Sequence, residues 1–131
     1  MLEGEASEHI IQILRSVHGQ KMTFKQEGQV SMPGVPDIYT EDKKGTIWIE
    51  VKLVSKYPKR KSSKILKHHF DEFQLKFFRN TNSRAYALIA DITKDKLEFR
   101  IIRKNDVKEN FTLEEFEKMK IWNVKEKFWE E

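Results

Sequence analysis

The stretch from Thr46 to Val54 constrains this chain most. Ile47, Ile49, Val51 and Leu53 alternate with Trp48, Glu50 and Lys52. A period of two predicts a β-strand whose odd residues enter a core. Glu50 and Lys52, two apart, then share the opposite face. Upstream, Asp42-Lys43-Lys44-Gly45 predicts a tight turn, and Asp37 to Thr40 a short strand before it. With Lys43 and Lys44 as a two-residue loop, Asp42 pairs with Gly45. Counting back then sets Asp37 opposite Glu50. A bulge at Gly45 would set Asp37 beside the backbone of Val51 instead.

Carboxylates that face each other on a sheet repel. Lys52 offsets part of that charge, and a hard divalent cation such as Mg²⁺ offsets it better, with Mn²⁺ as a substitute and the Val51 carbonyl as a further ligand. A metal held by Asp37 and Glu50 polarises a phosphate oxygen and acidifies a bound water. Lys52 orients that water or stabilises charge in the transition state. From Val51 to Phe70 there is no acid, but Lys52, Lys56, Lys59, Arg60, Lys61, Lys64, Lys67, His68 and His69 all occur. Such a block suits a polyanion, with Lys56, Lys59, Arg60, Lys61, Lys64 and Lys67 as candidate nucleic-acid contacts, joined by Tyr57. It also reads as a solvated charged loop. The acidic pair and the basic block converge on metal-dependent phosphodiester hydrolysis.

The rest of the chain reads as a frame for this hairpin. Ser7 is expected to cap a first helix from Glu8 to Val17, on which Ile10, Ile11, Leu14 and Val17 recur at helical spacing and which Gly19 stops. Lys21 to Lys25 suits a short strand, and Gly28 to Pro36 a loop. A second helix is expected from Lys64 to Arg79, with Leu66, Phe70, Phe73 and Phe77 as its buried stripe. Arg84 to Ile92 suits a buried strand, Thr93 to Lys96 a turn, and Leu97 to Arg103 a return strand. Thr112 and Glu115 have capping-box spacing, with Phe111 and Phe116 as the staple, so a third helix starts near Leu113. The tail, with Trp122, Phe128 and Trp129, suits a helix or an arm. The order predicts an α/β or α+β sheet with helices packed on it.

Composition bounds the rest. A chain of 131 residues with nine Phe, three Trp and three Tyr has the material for one core. We expect one domain over 1–131, with a catalytic core at 8–92 and a C-terminal helix or arm at 112–131. The absence of cysteine excludes disulfides and thiolate metal sites. No apolar run approaches the roughly 18 residues of a membrane span. Met1 to Glu5 lacks the pattern of a secretory signal, so a cytoplasmic, intracellular setting is expected.

Gly34-Val35-Pro36-Asp37-Ile38 is followed, with 12 residues between Asp37 and Glu50, by Glu50-Val51-Lys52. This arrangement resembles the PD-(D/E)XK nuclease core. In detail it is similar to the VRR-NUC nucleases and to phage and archaeal Holliday-junction resolvases, over about Glu8 to Ile92. The resemblance implies a restriction-endonuclease-like α/β fold with a central mixed sheet. It implies Asp37 and Glu50 as metal ligands and Lys52 as the catalytic lysine. A first-helix Glu completes such sites; Glu8 matches best and Glu5 is the substitute. Gln74 matches a Gln found near the active site, although Phe70-Asp71-Glu72 stands where VRR-NUC members often have a Ser/Thr-Pro pair.

The substrate implied is junction, flap or branched DNA, cut by a two-fold homodimer. The phage relatives leave a viral source open. One rival is an RNA endonuclease of the same fold, of the viral cap-snatching type, with His9 or His18 as an added ligand. Another is a binding module with a decayed site, which the presence of all three core residues disfavours. The bland readings are an acid favoured by the helix dipole for Glu8, surface residues for His68 and His69, and a charged group at a helix C-terminus for His18.

Overall fold

The computed structural model describes residues 1–26 and 33–130. Its elements run α1 (Glu3–Ser16), β1 (Phe24–Lys25), β2 (Ile38–Asp42), β3 (Gly45–Val54), α2 (Glu72–Asn80), β4 (Arg84–Asp91), β5 (Glu98–Arg103), α3 (Leu113–Glu117) and β6 (Lys120–Ile121). The six strands form one sheet in sequence order. Among the described residues only the β3–β4 pair is parallel; the other four pairs are antiparallel. A parallel pair needs a crossover, and the segment holding α2 provides it. This is the expected mixed sheet flanked by helices, with β6 as a strand the sequence did not suggest. Residues 28–32 of the expected Gly28–Pro36 loop lie outside the described residues.

β3 and β4 are central and buried on both faces, as a parallel pair requires. On one face Ile47, Ile49, Val51, Leu88 and Ala90 meet Ile10, Ile11 and Leu14 of α1, together with Trp122, Phe128 and Trp129. On the other, Val54, Ala85, Ala87 and Ile89 meet Leu66, Phe70, Phe78, Phe111 and Phe116. Glu50 and Lys52 point into this second layer. The tail therefore closes the first layer through its aromatic side chains, with a short 3-10 turn at Phe128–Glu130. α3 carries the expected box: Glu115 N–H donates to Thr112 Oγ1 at 3.1 Å, and Thr112 N–H to Glu115 Oε1 at 2.9 Å.

Two helices differ from expectation. α1 starts at Glu3, one turn before the predicted Glu8, and Ser7 is a buried residue within it rather than its cap. Ala6 and Ser7 precede Ile10 by four and three residues, so the core-facing stripe extends upstream on small side chains that let the helix approach the sheet. Glu5 accepts a hydrogen bond from the Leu2 N–H at 3.1 Å at this new start.

α2 spans only Glu72–Asn80, not Lys64–Arg79. Asp71 caps it by accepting from Gln74 N–H at 2.9 Å, while Gln74 Oε1 accepts from Asp71 N–H at 3.0 Å. Such a box begins a helix rather than sitting inside one. The predicted stripe is out of phase as a result. Leu66 and Phe70 are buried from a non-helical segment, Phe78 is the buried helical residue, and Phe73 is 52% exposed.

Candidate active site

The β2–β3 hairpin runs from Asp42↔Gly45 at its turn to Ile38↔Ile49 at its open end. The unbulged count therefore holds, and the next step along it sets Asp37 at the level of Glu50. The Asp37 side chain also does what the other register anticipated: its Oδ2 accepts from the Val51 N–H at 3.1 Å. The structure thus joins Asp37 to Val51 through the N–H. Glu50 is buried, at 3% exposure, and its carboxyl lies within hydrogen-bonding reach of that of Asp37. Burial first, then the Asp37 charge, raises the Glu50 pKa well above the usual carboxyl value; Lys52 opposes the shift. Burial and the neighbouring carboxylate thus both disfavour the ionised form of Glu50.

Lys52 is also buried, at 5% exposure. Its Nζ donates to Gln74 Oε1 at 3.2 Å and to the His69 carbonyl at 3.3 Å, and lies 5.0 Å from the centre of the Phe70 ring. Gln74 Nε2 donates in turn to Glu50 Oε2 at 3.1 Å. One amide thus ties the acid and the lysine to each other and to the start of α2. His69 and Phe70 had no expected part in this; they reach Lys52 because the chain before α2 is not helical.

Gly34 brings in the Asp37 loop. At φ 85° it adopts a backbone conformation that L side chains rarely take, and a Cβ there would stand 2.4 Å from the Phe73 carbonyl oxygen. The loop that carries Asp37 therefore lies against the first turn of α2, one residue from Gln74.

The first-helix acid at this site is Glu3, which the sequence reading missed. Its pKa is raised by burial first, and the charged groups acting on it are Lys52, Asp37 and His68. Glu8 ion-pairs with Lys25 at 3.7 Å with its side chain 56% exposed, and Glu5 is occupied at the helix start. Five residues turn a helix by roughly 140° beyond a full turn, so Glu3 and Glu8 face different ways. The signal was present: Glu3 precedes the small buried pair Ala6 and Ser7 at helical spacing. His9 is exposed on α1. His18 is held away from the carboxylates, with Nε2 2.7 Å from the Val124 carbonyl and its ring against Trp122 and Trp129.

Asp37 and Glu50 offer oxygen donors from two carboxylates, a set suited to a hard divalent cation and not to a thiophilic one. Among the described residues no three His, Cys, Asp or Glu side chains are grouped to hold a metal by themselves. A bound ion would therefore take its remaining ligands from water, backbone or substrate, as Mg²⁺ commonly does. Lys56, Lys59, Arg60, Lys61, Lys64 and Lys67 are all exposed. Lys61 ion-pairs with Glu117, and the other five have no ion-pair partner among the described residues.

No protein-family model and no curated protein matches the sequence. Among solved structures, the chain is similar to Hjc of Archaeoglobus fulgidus, a Holliday junction resolvase from an archaeal hyperthermophile. The two share 16% identity with a TM-score of 0.53, over 82% of this chain and 84% of that one. The shared feature is the fold, an α/β restriction-endonuclease-like core with a mixed sheet.

Proposed function

We propose that this protein is a divalent-metal-dependent nuclease that hydrolyses DNA phosphodiester bonds, with branched or four-way junction DNA as its substrate. The observation that carries the reading is the buried Glu50 carboxyl beside Asp37, with its proton affinity raised and with Lys52 on the same strand face. Like charges in a low-dielectric layer are costly unless a cation joins them. The fold shared with a Holliday junction resolvase supports the choice of substrate.

Asp37, Glu50 and a backbone oxygen such as that of Val51 would hold Mg²⁺, or Mn²⁺ in its place. The bound ion supplies Lewis-acid polarisation of the scissile phosphate and a more acidic water. The chain's own groups do the rest. Gln74 fixes Glu50 by donating to Oε2 and so turns that carboxyl toward Asp37. Lys52, aimed by Gln74 and the His69 carbonyl, donates toward charge developing on the phosphate oxygens. Glu3 adds a third negative group at the margin, in the role first given to Glu8 or Glu5. Lys56, Lys59, Arg60, Lys64 and Lys67, exposed after β3, attract the nucleic-acid backbone. A junction has two equivalent strands to cut, so the active species is a two-fold dimer.

The test is to incubate the protein with Mg²⁺ or Mn²⁺ and linear, flapped and four-way junction DNAs, beside single-stranded RNA. Cleavage of branched DNA that is lost in Asp37→Ala is expected. Retained cleavage in that variant would overturn the site, and cleavage of RNA alone would overturn the substrate. Sedimentation of the active species checks the dimer.

A further inference from the structure

Beyond Lys52 the chain does not return to α2 as a free loop. Residues 61–70 run beside residues 109–114. Glu114 N–H donates to the Lys61 carbonyl at 3.0 Å, Leu113 N–H to that of Ser63 at 3.0 Å, Ile65 N–H to that of Phe111 at 2.9 Å, and Phe70 N–H to that of Glu109 at 2.9 Å. Lys64 and Thr112 form an antiparallel bridge. Where this pairing needs one more rung, the Asn110 side chain supplies it. Its Oδ1 accepts from Leu66 N–H at 3.0 Å, and its Nδ2 donates to the Leu66 carbonyl at 2.9 Å. The same Oδ1 accepts from Phe111 N–H at 2.8 Å, which locks the amide in place. An amide thereby satisfies both backbone groups of Leu66 without a strand partner.

The segment so held bears the exposed Lys64 and Lys67, and two residues later the His69 carbonyl accepts from Lys52 Nζ at 3.3 Å. The far end of the basic stretch is anchored as well. Tyr57 O–H donates to the buried Asp91, and its ring meets that of Phe116. A charged loop that is free must be ordered when a polyanion binds, at a cost in affinity. A loop already paired avoids that cost.

We propose that Asn110 is a positioning residue for nucleic-acid binding: it holds residues 64–70 as a preformed basic ledge that leads to Lys52. The proposal rests on the nuclease reading given above. It assigns a substrate-binding task to the C-terminal third of the chain, which carries neither the acidic pair nor the lysine.

The experiment measures the Kd of a four-way DNA junction, with duplex DNA and single-stranded RNA of equal length in parallel. It uses EDTA to block cleavage, several salt concentrations, and wild type, Asn110→Ala and Asn110→Asp. Amide hydrogen exchange is followed on the same proteins. Asn110→Ala is expected to speed exchange at Leu66 and its neighbours and to raise Kd roughly tenfold. The slope of log Kd against log salt should stay unchanged, because the same phosphates are neutralised. Asn110→Asp keeps two accepting contacts but sets a carboxylate against the Leu66 carbonyl and adds negative charge beside the ledge, so its Kd should rise at least as far as that of Asn110→Ala. Faster exchange at 64–70 with wild-type Kd overturns the proposal. If Asn110→Ala fails to fold, Asn110→Asp decides by the same criterion. Wild-type protein that binds none of the three nucleic acids overturns the nuclease reading itself, and the ledge with it.

Discussion

The two ends of the β2–β3 hairpin each present a carboxylate of β2 or its approach to a charged neighbour, and they resolve it in opposite ways. At the turn, Asp42 meets Arg84, whose guanidinium contacts both carboxylate oxygens and also donates to the Gly45 and Trp129 carbonyls. The Arg84 hydrogen bond holds the Asp42 carboxyl below its usual value. At the open end, Asp37 meets Glu50, and burial with like charge pushes Glu50 the other way. One end has its counter-ion built in as an arginine on β4. The other has Lys52, which Gln74 and the His69 carbonyl hold. The first arrangement pairs its carboxylate with a guanidinium within the sheet, and the second sets two carboxyl groups side by side, where the proposed metal would bind.

The largest expected effect breaks the open end. Asp37→Ala or Glu50→Ala should lower cleavage roughly 10³-fold or more, and Lys52→Ala by about 10²–10³-fold, measured under single turnover. Next is the turn. Arg84→Ala removes four donated hydrogen bonds and should cost about 2 kcal/mol or more in urea unfolding, while leaving the carboxylate pair in place. Equal loss of cleavage and stability in that variant would erase the distinction between the ends. Gln74→Ala should lower cleavage by about 10–100-fold, as removal of a group that orients a ligand does, and cost about 1 kcal/mol through loss of the Asp71 N–H bond to Gln74 Oε1 at the α2 cap.

The smallest effect sharpens the comparison most. Glu50→Gln should lose cleavage as Glu50→Ala does, yet raise the Tm of the metal-free protein at neutral pH, because the amide carries no charge to bury. The two ends also titrate with opposite sign. The folded protein binds the Glu50 proton more tightly than the unfolded chain, so that contribution is fully present below about pH 4.5 and is lost as pH rises through the raised value. The Asp42 contribution is present above about pH 3.8 and is lost as pH falls through the lowered value. In EDTA, Glu50→Gln should flatten the loss of stability toward neutral pH and leave the acid limb intact. Wild-type pH dependence in that variant would sink the account of the open end.

Much of the hairpin was legible because its rules are local. Period-two alternation sets which face Glu50 and Lys52 share, and the two-residue turn sets the count back to Asp37. The start of α1 was misread because Ser7 has the chemistry of a cap as well as the size of a residue that packs close to a sheet. α2 was misread because Leu66, Phe70, Phe73 and Phe77 fall at helical spacing by coincidence. Helical period counts apolar residues and takes no account of a backbone that pairs elsewhere. Gln74 was singled out through the family resemblance, but its simultaneous hold on Glu50, Lys52 and Asp71 was not readable from spacing.

The sequence by itself therefore determined the order of elements as far as α3, the hairpin register and the shared face of Glu50 and Lys52, since each follows from neighbours a few residues apart. Tertiary structure alone decided that Glu3 rather than Glu8 stands by the carboxylates, that Arg84 rather than a nearby lysine answers Asp42, and that Asn110 clasps Leu66 across a separation of 44 residues. Those outcomes depend on which surfaces meet when the two faces of the sheet are covered, and no period or turn rule reaches across that distance.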